Sequence, residues 1–263
     1  MAEIFFDFLE TRSQDTDSLL CVGLDPHPEQ LSEDSADSAR DFCLQIIEEC
    51  AEHAVAFKPN SAFFEAYGPA GFQVLQVIIA AVPKGIPVLL DAKRGDIAST
   101  AQAYARAAFG ALGAHAVTAS PYLGRDSLAP LIEDPTRGAF LLCKTSNAGS
   151  ADLQDLNVGG EPLYLRVANL ATQWNTKGNL GLVVGATYPD VLAAVRDAAP
   201  DMWFLSPGIG AQGADLNAAL KAGLRADGLG LLVSASRGIS TDRHPGTKAK
   251  ELKEAINEAR AAS

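Results

Sequence analysis

Val88-Leu89-Leu90-Asp91-Ala92-Lys93-Arg94-Gly95-Asp96-Ile97 passes from wholly apolar to densely charged within one short segment. Pro87 to Leu90 reads as a buried strand. Asp91 and Lys93 are two positions apart, so on a strand they project from the same face. Asp96 lies three residues beyond Lys93, past the expected strand end, and points elsewhere. A buried carboxylate costs several kcal/mol unless it is paired. An Asp-x-Lys pair meets that demand as a structural ion pair, and the same pair can carry acid–base chemistry. Taken alone, the motif leaves both readings open.

The same pattern recurs along the chain. Short apolar runs each end in polar residues: Leu19–Leu24 in Asp25-Pro26, Ala54–Phe57 in Lys58-Pro59-Asn60, and Ala116–Ala119 in Ser120-Pro121-Tyr122. Ala139–Cys143 ends in Lys144-Thr145-Ser146-Asn147, and Leu180–Val184 leads toward Tyr188-Pro189-Asp190. Trp203–Leu205 runs into Ser206-Pro207-Gly208-Ile209-Gly210-Ala211-Gln212-Gly213, and Gly230–Val233 into Ser234-Ala235-Ser236-Arg237-Gly238. Between them lie stretches of helical character. Residues 2–13 form a short amphipathic N-terminal helix. Ser32–Glu52 follows, capped by Asp34, Ser35 or Asp37. Ser61–Val82 carries breaks at Gly68-Pro69 and Gly71. Ala148–Gly160 is polar and contains glycine; it reads as the longest segment without structure, of the kind that covers sites.

The alternation gives about eight β-α units in a chain of 263 residues, the size of a (β/α)₈ TIM barrel, roughly 250 residues. No linker composition interrupts it, so residues 1–263 read as a single domain. A doubly wound open sheet is the alternative, with fewer strands.

Composition narrows the function. The net charge of −11 argues against nucleic acid or an anionic membrane as partner. An anionic substrate then needs a local basic pocket. Cys21, Cys43, Cys50 and Cys143 form no C-x-x-C pair and read as buried thiols of a cytoplasmic protein. The first ten residues carry Glu3, Asp7 and Glu10, not the basic start of a signal peptide. His27, His53, His115 and His244 lack paired ligand spacing, so no metal is expected. No nucleophile elbow or dinucleotide fingerprint is present, so no cofactor is expected either.

Barrel active sites lie at the C-terminal strand ends. Asp25, Lys58, Asp91, Lys93, Ser146, Gln212 and Arg237 all fall there, on strands otherwise almost purely apolar. Convergence of two lysines with aspartates at one mouth favours a catalytic cluster over surface decoration. The glycines at 208, 210 and 213 let backbone N–H groups approach an anion, and Arg237 adds a guanidinium suited to phosphate.

These landmarks together resemble the orotidine 5′-phosphate decarboxylase family, in the subgroup whose second strand ends Phe-Lys-Pro-Asn. They are Gly23-Leu24-Asp25-Pro26, Phe57-Lys58-Pro59-Asn60, Asp91-Ala92-Lys93-Arg94-Gly95-Asp96-Ile97, Thr145-Ser146-Asn147, the Pro207–Gly213 loop and Ser236-Arg237-Gly238-Ile239. The resemblance implies decarboxylation of orotidine 5′-monophosphate to UMP without a cofactor, by a homodimer with sites at the subunit interface. It implies a charged array of Lys58, Asp91, Lys93 and Asp96, the last donated by the partner subunit together with Ile97 and Thr100. It further implies that Asp25 binds ribose, Ser146 faces the pyrimidine edge, Gln212 bridges base and phosphate, and Arg237 holds the phosphate.

Two positions depart from the family pattern: Ala98, where Gly or Pro is common, and Ala148, where Pro is frequent. Both replacements are small and leave the charged array intact. The rivals are a Mg²⁺-dependent phosphosugar decarboxylase or aldolase on the same barrel, and a non-catalytic nucleotide-binding protein. The first needs metal-binding carboxylates and lacks the Lys58 motif. The second has no reason to retain four charged residues.

Overall fold

A computed structural model describes residues 3–208 and 215–262. Its main sheet contains eight parallel strands: β1 (Leu20–Leu24), β2 (Ala56–Pro59), β3 (Leu89–Arg94), β4 (Ala116–Ala119), β5 (Gly138–Lys144), β6 (Leu180–Val184), β7 (Phe204–Pro207) and β8 (Leu231–Ala235). Neighbours run β2-β1-β8-β7-β6-β5-β4-β3. Bridges Phe57↔Val88 and Asn60↔Asp91 then join β2 to β3. The sheet closes on itself as a (β/α)₈ barrel, which leaves no unpaired edge.

Closure explains the strand composition. Every residue of β1, β2, β4, β6 and β8 is buried, because helices cover the outer face while side chains fill the interior. Apolar runs without polar alternation are what such strands require. Ser35 caps the helix Ala36–Cys50 by accepting a hydrogen bond from Ser38 N, and Cys43, Ile46, Ile47 and Cys50 form its buried stripe. All four cysteines are free and buried. Among the described residues, no helix is long and apolar enough to cross a membrane.

The expected break at Gly68-Pro69 is present, between the helices Ser61–Glu65 and Gly68–Ala81. Gly71 does not break the second helix. A Cβ there would lie 1.8 Å from the Phe64 carbonyl oxygen, so this glycine serves the close approach of the two helices. Residues 148–160 also differ from expectation. They hold a 3₁₀ turn (Ala148–Ser150), a short helix (Ala151–Gln154) and the first strand of a small antiparallel hairpin, Asn157–Val158 with Glu161–Pro162. Side chains supply the order that the sequence pattern hides. Lys144 Nζ contacts Asp155 at 2.6 Å and Ser150 Oγ at 3.1 Å, and Thr145 N donates to Gln154 Oε1 at 2.8 Å.

The N-terminal helix, Phe5–Thr16, lies across the amino-terminal end of the barrel. Phe5 packs so tightly on Gly138 that a Cβ there would sit 2.3 Å from the ring. Phe5 and Phe6 meet Phe140 edge to face. Arg12 donates to the carbonyls of Ala51 and Ala54, just before β2.

Arg196 secures the same end of the barrel through backbone carbonyls. Its guanidinium donates to those of Met202 (2.6 Å), Gly223 (2.7 Å) and Gly230 (2.9 Å), and stacks 3.7 Å from the Phe204 ring centre. Burial pushes its pKa down to about 10, still cationic at neutral pH. Arg196→Met would strand those carbonyls and is expected to cost about 3 kcal/mol of stability. Urea unfolding measures this, and an unchanged midpoint would show that the carbonyls find other donors.

Candidate active site

Lys58, the third residue of β2, is buried with 6% of its surface exposed. Its ammonium lies 3.2 Å from Asp91 Oδ2. Lys93 Nζ lies 2.6 Å from Asp91 Oδ1. Thr118 of β4 donates its hydroxyl to that same Oδ1 at 2.9 Å. One carboxylate therefore receives two ammonium groups and a hydroxyl at the carboxyl-terminal mouth of the barrel.

The way Lys93 reaches Asp91 differs from simple alternation along a strand. Register between β3 and β4 jumps from Leu90↔Val117 to Arg94↔Ala119. Asp91, Ala92 and Lys93 thus bulge opposite Thr118 alone. Lys93 has φ +48°, a left-handed conformation that a non-glycine residue holds only where surrounding contacts enforce it. Ala98 shares this feature, also at φ +48°. Left-handed backbone costs a residue with a Cβ about 1–2 kcal/mol.

Electrostatics follow from the geometry. Burial alone would depress the Lys58 pKa, but the carboxylates of Asp25 and Asp91 outweigh it and hold the ammonium above its ordinary value. Burial would raise the Asp91 pKa, but Lys58, Lys93 and the Thr118 hydroxyl lower it to about 2. At neutral pH the trio is two cations around one anion.

Beside the trio opens a cavity of about 240 Å³, lined by Asp25, Lys58, Phe63, Pro207, Ser236 and Arg237 among others. Asp25 Oδ1 and Ser236 Oγ are buried there and find no hydrogen-bond partner among the described residues. Buried oxygens of this kind suit a hydroxylated ligand. Arg237 is exposed at the outer end, and so offers a cation to an anionic group.

The remaining site candidates divide clearly. Asp96 Oδ1 accepts from Ile97 N at 2.8 Å, and Asp96 pairs with neither Lys58 nor Lys93. Ile97 is 56% exposed and Thr100 is exposed. Ser146 is half-buried, its backbone against Gly185, where a Cβ would come within 3.1 Å of Ser146 N. Gln212 lies outside the described residues. Among the described residues no three His, Cys, Asp or Glu side chains are grouped to hold a metal ion.

Sequence reasoning misses Thr118, which touches Asp91, and His27, which stacks edge-on to Phe63 in the cavity wall at 4.4 Å. Thr118 carries a signal: it is the one hydroxyl in the apolar run Ala116-Val117-Thr118-Ala119, and a buried hydroxyl needs partners.

Asp91 also makes stability depend on acid. Its folded pKa is depressed, so its contribution is present above the unfolded value of roughly 4 and is lost as pH falls through about 2. Between those values the wild type is expected to lose urea resistance more steeply than Asp91→Asn. Parallel pH profiles for the two would contradict the pairing.

Comparison with known proteins bears on this site. The family model "Orotidine 5'-phosphate decarboxylase / HUMPS family" matches residues 18–252. The orotidine 5′-phosphate decarboxylase of Roseiflexus castenholzii is 49% identical, over 97% of this chain and 98% of that protein. The structure of Leishmania donovani OMP decarboxylase is 53% identical with a TM-score of 0.92, covering 99% of this chain and 100% of that one. The Leishmania donovani UMP synthase structure is 55% identical with a TM-score of 0.95, covering all of this chain but 57% of that one. A barrel with Lys58, Asp91 and Lys93 at its mouth, matched along nearly its whole length, belongs to the orotidine 5′-phosphate decarboxylase family.

Proposed function

We propose that this protein removes CO₂ from orotidine 5′-monophosphate to give UMP in pyrimidine biosynthesis, as a cytoplasmic homodimer. The observation that carries the reading is the Lys58–Asp91–Lys93 trio at the barrel mouth. Family membership supplies the substrate. Breaking the bond between the pyrimidine ring and its carboxylate leaves an electron pair on the ring carbon. No ring group of this substrate delocalises that pair well, so the protein must stabilise it by charge.

Lys93 does so. Its ammonium is preorganised by Asp91, stabilises the developing carbanion and then gives it a proton, while CO₂ departs. Preorganised charge aimed at the transition state usually contributes more to catalysis than any other effect. Asp91 holds Lys93 in place and repels the substrate carboxylate, a repulsion relieved when CO₂ leaves. Lys58 fixes the other oxygen of Asp91. Asp25 binds a ribose hydroxyl, for which its buried, unsatisfied Oδ1 is suited. Ser146 faces the pyrimidine edge, Gln212 bridges base and phosphate, and Arg237 binds the phosphate. The phosphate grip supplies remote binding energy for orienting the ring. Asp96, Ile97 and Thr100 act in the partner subunit's site, a reading supported by the exposure of Ile97 and Thr100 and by Asp96 making no ion pair with Lys58 or Lys93.

With EDTA present, the protein is expected to convert orotidine 5′-monophosphate to UMP, followed as loss of orotate-ring absorbance. Absence of turnover by folded protein would overturn the assignment, and activity restored only by Mg²⁺ would point to the metal-dependent phosphosugar enzymes. Lys93→Ala should lower kcat by about 10³-fold or more without unfolding the barrel; a near-normal kcat would remove Lys93 from the central role.

Mixing inactive Lys93→Ala and Asp96→Ala subunits should restore activity, since a heterodimer carries one complete site. Heterodimers that form and stay inactive would assign Asp96 to its own subunit.

A further inference from the structure

The geometry points to Thr118 as the positioning residue that fixes both the charge of Asp91 and the backbone of Lys93, an inference resting on the decarboxylase reading of their site. Thr118 is 1% exposed. Its Oγ1 accepts the amide hydrogens of Ala92 at 3.0 Å and Lys93 at 2.9 Å, and lies 2.9 Å from Asp91 Oδ1.

A hydroxyl has one proton and two lone pairs. The two amides can donate only, so they take both lone pairs. One proton remains, and Asp91 Oδ1 is the acceptor left for it. Its direction follows from this count rather than from a choice of rotamer.

Asp91 Oδ1 must therefore accept, because it meets the Thr118 proton and the Lys93 ammonium together, while Oδ2 meets Lys58. A protonated Asp91 would oppose this ring of donors, so Thr118 favours the carboxylate form. The backbone is affected too. The amides of Ala92 and Lys93 lie in the bulge, where ladder pairing skips from Leu90 to Arg94. Thr118 Oγ1 takes the place of the missing strand carbonyl for both. That contact is what keeps Lys93 at φ +48°, and hence aims its ammonium. Threonine suits the task because its β-branch restricts χ1 within a strand.

Thr118→Val keeps the shape and removes the hydroxyl, and Thr118→Ser keeps the hydroxyl. The valine variant is expected to lose about 10²-fold in kcat, as for removal of one preorganised donor, with little change in KM. The serine variant should recover most of that loss.

A second readout needs no substrate: ¹³C NMR titration of the Asp91 carboxyl. Its pKa should rise by about one unit in the valine variant, since a donor to the charged form has gone, and return in the serine variant. A purely structural threonine would lower the melting temperature and leave the Asp91 titration in place. A folded valine variant with wild-type kcat and an unmoved Asp91 titration overturns the inference. Wild-type protein inactive on orotidine 5′-monophosphate would overturn the decarboxylase reading alone, and the titration would still decide whether Thr118 sets the charge of Asp91. Should the valine variant not fold, Thr118→Cys, whose thiol is a poor acceptor, reads the same two quantities.

Discussion

One carboxylate surrounded by donors is the constraint on which the mouth of this barrel depends. Asp91 is largely withdrawn from water, yet it remains charged because Lys58, Lys93 and Thr118 each give it a hydrogen bond. Removing one partner from a buried charged pair typically costs about 3–5 kcal/mol, since the other charge is left uncompensated. That penalty ties β2 to β3 through Lys58 and Asp91, and the Thr118 hydroxyl adds β4 by a hydrogen bond. The bridge between Asn60 and Asp91, where the barrel closes, lies beside the same residues. Closure of the sheet and assembly of the charged trio thus draw on the same residues in this region.

The bulge in β3 shows how a regular scaffold yields an irregular site. An uninterrupted strand would send Asp91, Ala92 and Lys93 to alternating faces at full extension. Three residues opposite one partner shorten the path and turn the lysine back toward the aspartate. The cost is a left-handed lysine, sustained by a side chain from the next strand. Strain at functional positions of this kind is held by surroundings that over-determine it.

The barrel is legible in the sequence because its strands are nearly pure in composition, and the charged strand ends stand out against them. Lys58, Asp91, Lys93 and Arg237 can be assigned to one mouth from this contrast alone. What is not legible depends on contacts distant in sequence. Thr118 looks like a minor interruption of an apolar run until Asp91 is seen beside it. Residues 148–160 look loose because their order comes from Lys144, Thr145 and Gln154 and not from hydrophobic period. Gly71 reads as a helix breaker from its own identity, and only the Phe64 carbonyl against it reveals a packing role. Alternation alone brings Asp91 and Lys93 to one face, whereas the backbone reaches that meeting by another route.

The N-terminal helix has a consequence for traffic. Phe5 and Phe6 wedge against Phe140 and Gly138 at one end of the barrel, and the charged trio sits at the other. The interior between them is filled by side chains, and the cavity beside the trio lies at the carboxyl-terminal end. Chemistry and fold stability are thereby assigned to opposite ends of the barrel. Anything bound in that cavity is reached from the carboxyl-terminal face, where Arg237 is exposed.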